Sequence, residues 1–172
     1  MIDLKKHIET HSDFPKPGIL FYDISSLMAD AKVWQETINQ FSSLVKKYNP
    51  EVLAGIESRG FIFASTIGYK LGCDVIMIRK KGKLPGKTIH HFYKLEYGTD
   101  CLEIQKRETL KNKNVILIDD LLATGGTAGA AVELLQKVKA NVSVFLTLIE
   151  LTNLKGRNKI KVKTDSLLSF DE

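Results

Sequence analysis

Cysteine is scarce in this sequence, and long apolar runs are missing. Neither of its two cysteines, Cys73 and Cys101, has the close spacing of a metal or redox motif, so we expect both to be reduced packing residues. No apolar run approaches the roughly twenty residues that cross a bilayer. The N-terminus mixes charged and apolar residues and lacks the apolar core of a secretory signal. These absences predict a cytoplasmic protein with no membrane partner.

Internal repeats, low-complexity tracts and Ser/Gly-rich linkers are also absent. The apolar content of 44% and the charged content of 26% are those of an ordinary globular protein. A chain of 172 residues can bury a sizeable core in one domain. We therefore expect a single domain over residues 1–172.

The net charge of +5 is compatible with two kinds of partner, a nucleic acid or a small anionic metabolite. The basic residues around Arg79–Lys87 alternate with Gly and Pro, and no stacking aromatics lie among them. This composition favours a phosphate-binding loop and predicts no nucleic-acid partner. The basic stretch Lys155–Lys163 is interpreted as a solvated face.

Apolar, β-branched segments alternate with helical patterns along most of the chain. This alternation predicts an α/β fold with a mainly parallel, twisted sheet flanked by helices. Helices are predicted over 3–11, 34–48, 60–71 and 127–138, strands over 52–56, 74–78, 115–118 and 142–149, and a β-hairpin from 91–97 and 101–105. Ligands of such sheets bind beyond the carboxyl ends of the strands, here after Ile56, Ile78 and Ile118.

The segment 115–127 is the most informative part of the sequence. A buried strand ends in Asp119 and Asp120, and a Thr/Gly loop and a helix follow. Glycines allow the backbone to approach a phosphate, and amides at a helix N-terminus donate hydrogen bonds to it. The predicted phosphate loop comprises Ala123, Thr124, Gly125, Gly126 and Thr127. No Lys follows the glycines, which excludes the nucleoside-triphosphate P-loop pattern and favours one phosphomonoester.

Two carboxylates next to a phosphate would repel it unless they face other groups. Ribose hydroxyls donate hydrogen bonds to carboxylates, and a divalent cation binds to them. Asp119 and Asp120, together with the loop, therefore match a ribose 5-phosphate.

These thirteen residues resemble the phosphoribosyl-pyrophosphate motif of the type I phosphoribosyltransferases. Their Leu-Leu-Ala-Thr-Gly-Gly-Thr form is similar to the adenine-specific branch of that family. Further segments match in order along nearly the whole chain: 14–21, 55–61, 79–86, 95–98, 102–105, 150–152 and 154–157. The resemblance implies the type I fold with a small N-terminal purine-binding hood over residues 1–30 and a mobile loop and hairpin over residues 79–105.

The resemblance also implies a reaction: adenine and phosphoribosyl pyrophosphate give AMP and pyrophosphate, with Mg²⁺ as cofactor. Glu96, Arg59, Asp119 and Asp120 are the expected catalytic residues, with Glu96 taking the purine proton and Tyr97 orienting the reactants. Pyrophosphate is expected at Ser58, Arg59, Arg79 and Lys83, and adenine at Leu20, Phe21, Tyr22 and Leu122. Magnesium is expected to bind through the substrate, with Asp119 and Asp120 as candidate ligands. A homodimer and a non-proline cis peptide within Glu57–Arg59 are further implications.

Two alternative functions remain at this stage. The purine could be hypoxanthine, guanine or xanthine, or the chain could be a regulator that senses phosphoribosyl pyrophosphate. The adenine-type motifs argue against the first, and the lack of room for a helix-turn-helix domain argues against the second. His90 and His91 suggest a metal site, but adjacent strand residues face opposite sides of a sheet, so we expect solvated loop histidines.

Overall fold

The computed structural model describes residues 2–95 and 98–171, with the backbone alone at Leu95. The chain forms two compact units, Met1–Phe41 and Ser42–Glu172. No helix in these ranges is long and apolar enough to cross a membrane. Their α-helices are α1 (Ser25–Ala29), α2 (Ala31–Lys46), α3 (Gly60–Leu71) and α4 (Gly126–Lys137). Their strands are β1 (Glu9–Ser12), β2 (Leu20–Asp23), β3 (Val52–Ile56), β4 (Asp74–Lys80), β5 (Thr88–Leu95), β6 (Gly98–Gln105), β7 (Asn114–Leu122), β8 (Asn141–Leu151) and β9 (Lys163–Phe170).

The first unit contains a small antiparallel sheet. A 3₁₀ turn over Leu4–His7 precedes β1, which pairs with β2 so that His11 lies opposite Phe21. The helix predicted over residues 3–11 is therefore wrong. Charged and apolar residues alternate there, and so short a pattern is compatible with both a helix and a strand. Pairing with β2 determines that residues Glu9–Ser12 form a strand.

The second unit is built on a larger sheet, which over the described ranges has seven strands in the order β5-β6-β4-β3-β7-β8-β9. The pairings of β3 with β4 and β7, and of β8 with β7 and β9, are parallel. The hairpin strands β5 and β6 pair antiparallel with each other, and β6 joins the sheet antiparallel to β4. The predicted α/β class with a mainly parallel sheet and a hairpin is confirmed.

Alternating side chains of the central strands cover both faces of this sheet. Val52, Ala54 and Ile56 of β3 belong to the core cluster that contains the buried face of α4. On the other face α3 packs against β3, and the backbone at Gly55 leaves space for Ala64. Helices on both faces leave the ends of the parallel strands as the open edge for a ligand.

Several strands are longer than predicted. The strand β7 continues to Leu122, so Asp119 and Asp120 lie within it, and β4 continues to Lys80. The strand β9 was not predicted. Its mixed sequence lacks a continuous apolar run because β9 is an edge strand with one neighbour, β8. Cys73 is partly buried and Cys101 buried, and both are free thiols, as expected.

A substitution in α4 can test how closely this helix packs against the segment that contains Lys159. Gly129 lies inside α4, where a Cβ would lie 2.6 Å from the carbonyl oxygen of Lys159. Ala usually stabilises a helix interior by about 1 kcal/mol relative to Gly. Because backbone atoms oppose the added methyl here, we expect Gly129→Ala to lower the free energy of unfolding by about 1–3 kcal/mol.

Urea denaturation measures this change, with Gln136→Ala on the exposed face of the same helix as the control. The control should change stability by less than about 0.5 kcal/mol. A Gly129→Ala protein as stable as the unaltered chain would contradict the close contact.

Candidate active site

A cavity of about 340 Å³ lies at the carboxyl ends of β3 and β7. The segment Asp119–Ala128 lines it continuously, and four residues from other segments complete its wall: Glu57, Ser58, Arg59 and Lys80. All of these residues belong to the second unit. The predicted loop, the acid pair and Arg59 thus meet in one place, as the strand topology requires.

The phosphate loop is held in shape by backbone packing. Gly125 has a φ of 77°, in the left-handed region, and precedes the first turn of α4. A Cβ on Gly125 would lie 2.1 Å from the carbonyl oxygen of Gly156, and one on Gly156 would lie 2.2 Å from that of Ala123. The turn therefore needs glycine at both places. Its first helical amides lie at the helix N-terminus, where the helix dipole favours an anion.

An ion pair between Arg157 and Glu150 stabilises the segment that packs against this turn. Nε and Nη2 of Arg157 bind both carboxylate oxygens of Glu150, and Nη1 donates to the carbonyl of Thr164 at 2.7 Å. Ser166 donates to the same carboxylate at 2.9 Å. Arg157, interpreted from the sequence as part of a solvated face, thus fixes the segment that carries Gly156. The family-matching segments 150–152 and 154–157 contain the two members of this ion pair.

The acid pair sits between the loop and Arg59. Nε of Arg59, the residue before α3, lies 2.8 Å from Oδ2 of Asp120, and Oδ1 of Asp119 accepts the amide of Asp120 at 2.9 Å. Burial, together with the neighbouring charge of Asp120, raises the pKa of Asp119. Burial also raises the pKa of Asp120, against the opposing effect of Arg59. Both carboxyls therefore have raised pKa values, and Asp120 is paired with the guanidinium of Arg59.

Glu57 organises the cationic side of the site. Its Oε1 accepts hydrogen bonds from Arg79 at 3.0 Å and Lys83 at 3.3 Å, and its Oε2 accepts the amide of Lys80 at 2.8 Å. Burial acts to raise the pKa of Glu57, but these hydrogen bonds outweigh it and lower that pKa from 4.5 to about 2. The peptide between Glu57 and Ser58 is cis, as the resemblance implied.

Comparison with known proteins identifies the family. Residues 24–168 match the model of the phosphoribosyl transferase domain. The adenine phosphoribosyltransferase of Rhodospirillum rubrum is 54% identical over 170 residues, which cover 99% of each chain. The chain belongs to the adenine phosphoribosyltransferase family.

Solved structures of the family agree with this assignment. The enzyme of Thermoanaerobacter pseudethanolicus superposes with a TM-score of 0.94 at 40% identity, covering 98% of both chains. That of Saccharomyces cerevisiae, complexed with D-2,5-dideoxy-2,5-imino-altritol 1,6-bisphosphate and adenine, superposes with a TM-score of 0.93 at 37% identity. The superposition covers 96% of this chain and 97% of the yeast chain. The predicted type I phosphoribosyltransferase fold is thereby confirmed.

The other residues expected from the family differ in their relation to this cavity. Arg79 and Lys83 pair with Glu57 and do not line it, whereas Lys80, which was not predicted as a site residue, does. Leu122 lines it and is buried. Glu96 and Tyr97 fall outside the described residues.

The residues expected at the purine lie in the first unit, on β2. Leu20 and Phe21 are partly buried and Tyr22 is buried. The ring of Phe21 packs edge-on against that of Phe14, with 5.1 Å between centroids. Phe14 is exposed and precedes a cis proline. Their predicted contact with adenine stays a prediction.

The two histidines differ from expectation, because both lie in β5 and not in a solvated loop. Nε2 of His91 contacts Glu133 at 3.0 Å, and Nδ1 of His91 lies 2.8 Å from Nζ of Lys137. Across the described part of the chain, no group of three or more His, Cys, Asp or Glu residues is placed to hold a metal ion. His91 therefore joins the hairpin to α4.

The low pKa of Glu57 gives a pH-dependent stability. Its folded pKa of about 2 lies below the ordinary value of 4.5, so it stabilises the fold above pH 4.5 and loses that effect as the pH falls toward 2. We expect Glu57→Gln to be less stable than the unaltered chain at neutral pH and the difference to shrink through this window.

Urea denaturation at a series of pH values measures this difference. The exposed residue Glu108 supplies the control, since Glu108→Gln removes a carboxylate that contacts only Lys106, at 3.9 Å, among the interactions of the described residues. A constant stability gap between Glu57→Gln and the unaltered chain across the acid range would refute the role of the ion-pair cluster.

Proposed function

We propose that this chain transfers the 5-phosphoribosyl group of phosphoribosyl pyrophosphate to adenine, forming AMP and pyrophosphate in purine salvage. One observation carries the proposal: a glycine-pinned phosphate loop, two adjacent carboxylates and Arg59 line the same cavity. That set matches a sugar phosphate with an anionic leaving group, and the yeast relative was crystallised with adenine.

In this proposal, each part of the donor has its own position in the cavity. The amides and hydroxyls of Ala123, Thr124, Gly125, Gly126 and Thr127 would hold the 5-phosphate. Asp119 and Asp120 would accept hydrogen bonds from the ribose hydroxyls. Ser58 and Arg59 would contact pyrophosphate, because the Arg fork suits phosphate oxygens. Arg79 and Lys83, now paired with Glu57, would join them by rearrangement of their side chains.

In the reaction one bond forms, one bond breaks and one proton is transferred. A ring nitrogen of adenine attacks the anomeric carbon, and the carbon–oxygen bond to pyrophosphate breaks, leaving the electron pair on pyrophosphate. The sugar passes through an oxocarbenium-like transition state, and cations around the departing pyrophosphate stabilise its growing charge. The purine proton passes to Glu96, with Tyr97 orienting the reactants. Leu20, Phe21, Tyr22 and Leu122 remain the residues expected to contact adenine.

Magnesium fits this site as an ion bound mainly through the substrate. The described residues offer no cluster of three ligands, and Asp120 already faces Arg59 at 2.8 Å. Asp119 and Asp120 would contribute the protein's oxygen ligands, directly or through the ribose hydroxyls. The ion would neutralise charge on the leaving pyrophosphate.

We further infer one phosphoribosyltransferase domain over residues 1–172, with residues 1–30 as a purine hood and residues 79–105 as a mobile loop and hairpin. A homodimer in the cytoplasm, without nucleic-acid or membrane partners, completes the proposal. The composition and the family likeness support these assignments.

An assay with four purines tests the activity. Purified protein with Mg²⁺ and phosphoribosyl pyrophosphate is offered adenine, hypoxanthine, guanine or xanthine, and nucleotide is measured chromatographically. Nucleotide from adenine alone is expected. No turnover with any base would overturn the proposal, and turnover with an oxopurine would change the substrate.

Asp120→Asn tests the acid pair. Loss of the ion pair with Arg59 and of the charge-assisted bonds to ribose should reduce kcat/KM by about 10- to 100-fold. The melting temperature should change little, because an uncharged amide is easier to bury. Steady-state kinetics and calorimetry measure both quantities.

Asp165→Asn is the matched control, because Asp165 accepts a hydrogen bond from Tyr48 at 3.0 Å and does not line the cavity. It should leave kcat/KM unchanged. An Asp120→Asn protein that loses fold and activity together would make Asp120 a structural residue.

A further inference from the structure

A buried tyrosine connects the hairpin to the cavity. The hydroxyl oxygen of Tyr93 lies 3.3 Å from Nζ of Lys80, 3.3 Å from Oδ2 of Asp100 and 3.3 Å from Oγ1 of Thr127. Lys80 and Thr127 line the cavity, whereas Tyr93 and Asp100 do not. The residue is only 9% exposed, so water competes weakly for its hydroxyl.

The fold brings these four groups together from four elements. Tyr93 and Asp100 lie directly opposite each other on β5 and β6, and Lys80 lies on β4 beside β6, opposite Leu102. Thr127 lies in the first turn of α4, which packs against β5. The hairpin register thus places one tyrosine–carboxylate pair against the first turn of the phosphate loop's helix.

The hydroxyl of Tyr93 has one proton for two acceptors. Lys80 donates to the tyrosine oxygen, so Tyr93 can donate either to Asp100 or to Thr127. If Tyr93 donates to Thr127, the proton of Thr127 is available to an anion in the cavity. If Tyr93 donates to Asp100, Thr127 donates to Tyr93 and turns its lone pairs toward the cavity, which disfavours an anion.

Asp100 competes with the ligand in a second way, through Lys80. Lys80 and Asp100 form an ion pair. Burial acts to lower the pKa of Lys80, but the hydrogen bonds to Asp100 and Tyr93 outweigh it and raise that pKa. For Asp100, burial acts to raise the pKa, but Lys80 and the amide of Cys101 lower it. Both groups are therefore charged, and Asp100 neutralises a cation that lines the cavity.

We propose that Tyr93 and Asp100 are opposing positioning residues for the phosphorylated sugar. Tyr93 supports phosphate binding by donating its proton to Thr127. Asp100 opposes binding because it takes that proton and holds Lys80. The inference rests on the proposed function in one respect only, that the loop at Thr127 receives the 5-phosphate.

Tyr93→Phe and Asp100→Asn are expected to have effects of opposite sign. Tyr93→Phe keeps the ring and removes the hydroxyl, so it should weaken the binding of ribose 5-phosphate and raise the KM for phosphoribosyl pyrophosphate, each about five-fold. Asp100→Asn frees Lys80 and the tyrosine proton, so it should strengthen binding about two- to five-fold. The KM for adenine should stay the same in both. A purely structural role would weaken binding in both variants.

Isothermal titration with ribose 5-phosphate measures these affinities, and steady-state kinetics measures the KM values. Tyr48→Phe is the matched control, since Tyr48 also donates to a carboxylate, that of Asp165 at 3.0 Å, and does not line the cavity. It should bind ribose 5-phosphate like the unaltered chain. If Tyr93→Phe fails to fold, Asp100→Asn decides alone, because only the opposing role predicts tighter binding of ribose 5-phosphate in that variant.

Three outcomes overturn the inference: unchanged binding in Tyr93→Phe, weaker binding in Asp100→Asn, or no binding of ribose 5-phosphate to the unaltered chain. The proposed function is tested separately by AMP formation in the unaltered chain. AMP formation with the wrong order of affinities would refute the positioning role alone. The expected order without AMP formation would refute the function alone.

Discussion

The proposed function requires one cavity to hold two carboxylates and also to bind an anion. The contact of Arg59 with Asp120 at 2.8 Å is the central part of the answer. The guanidinium balances the charge of one carboxylate, and burial together with the neighbouring Asp120 raises the pKa of the other, Asp119. In the proposed function, the glycine turn presents its amides to the 5-phosphate a few residues away from this pair.

Much of this could be predicted from the sequence, because the strongest local patterns lie at the site. The helix α3 has the predicted bounds, Gly60–Leu71, and Gly72 ends it in the left-handed conformation. The acid pair, the loop and Arg59 were predicted to meet because parallel strands bring their carboxyl ends to one edge. The cavity brings them together at that edge.

The rest depended on tertiary pairing. Arg79 and Lys80 are adjacent cations, and only the continuation of β4 through both decides that Lys80 lines the cavity while Arg79 pairs with Glu57. No local sequence pattern distinguishes Tyr93, because its hydroxyl contacts partners that are 7, 13 and 34 residues away in the sequence. The strand β9 was missed for a similar reason, because its one neighbour, β8, supplies the order that its own sequence does not specify.

The contact between Gly125 and Gly156 has a consequence for folding during synthesis. The phosphate turn is made first, but the carbonyl against which it packs comes about thirty residues later. Arg157 then needs Thr164, and Glu150 needs Ser166, to hold that carbonyl in place. A nascent chain that has emerged from the ribosome only as far as the turn therefore lacks the Gly156 carbonyl against which Gly125 packs. The packing that shapes this turn is therefore completed late in synthesis, when β9 joins the sheet.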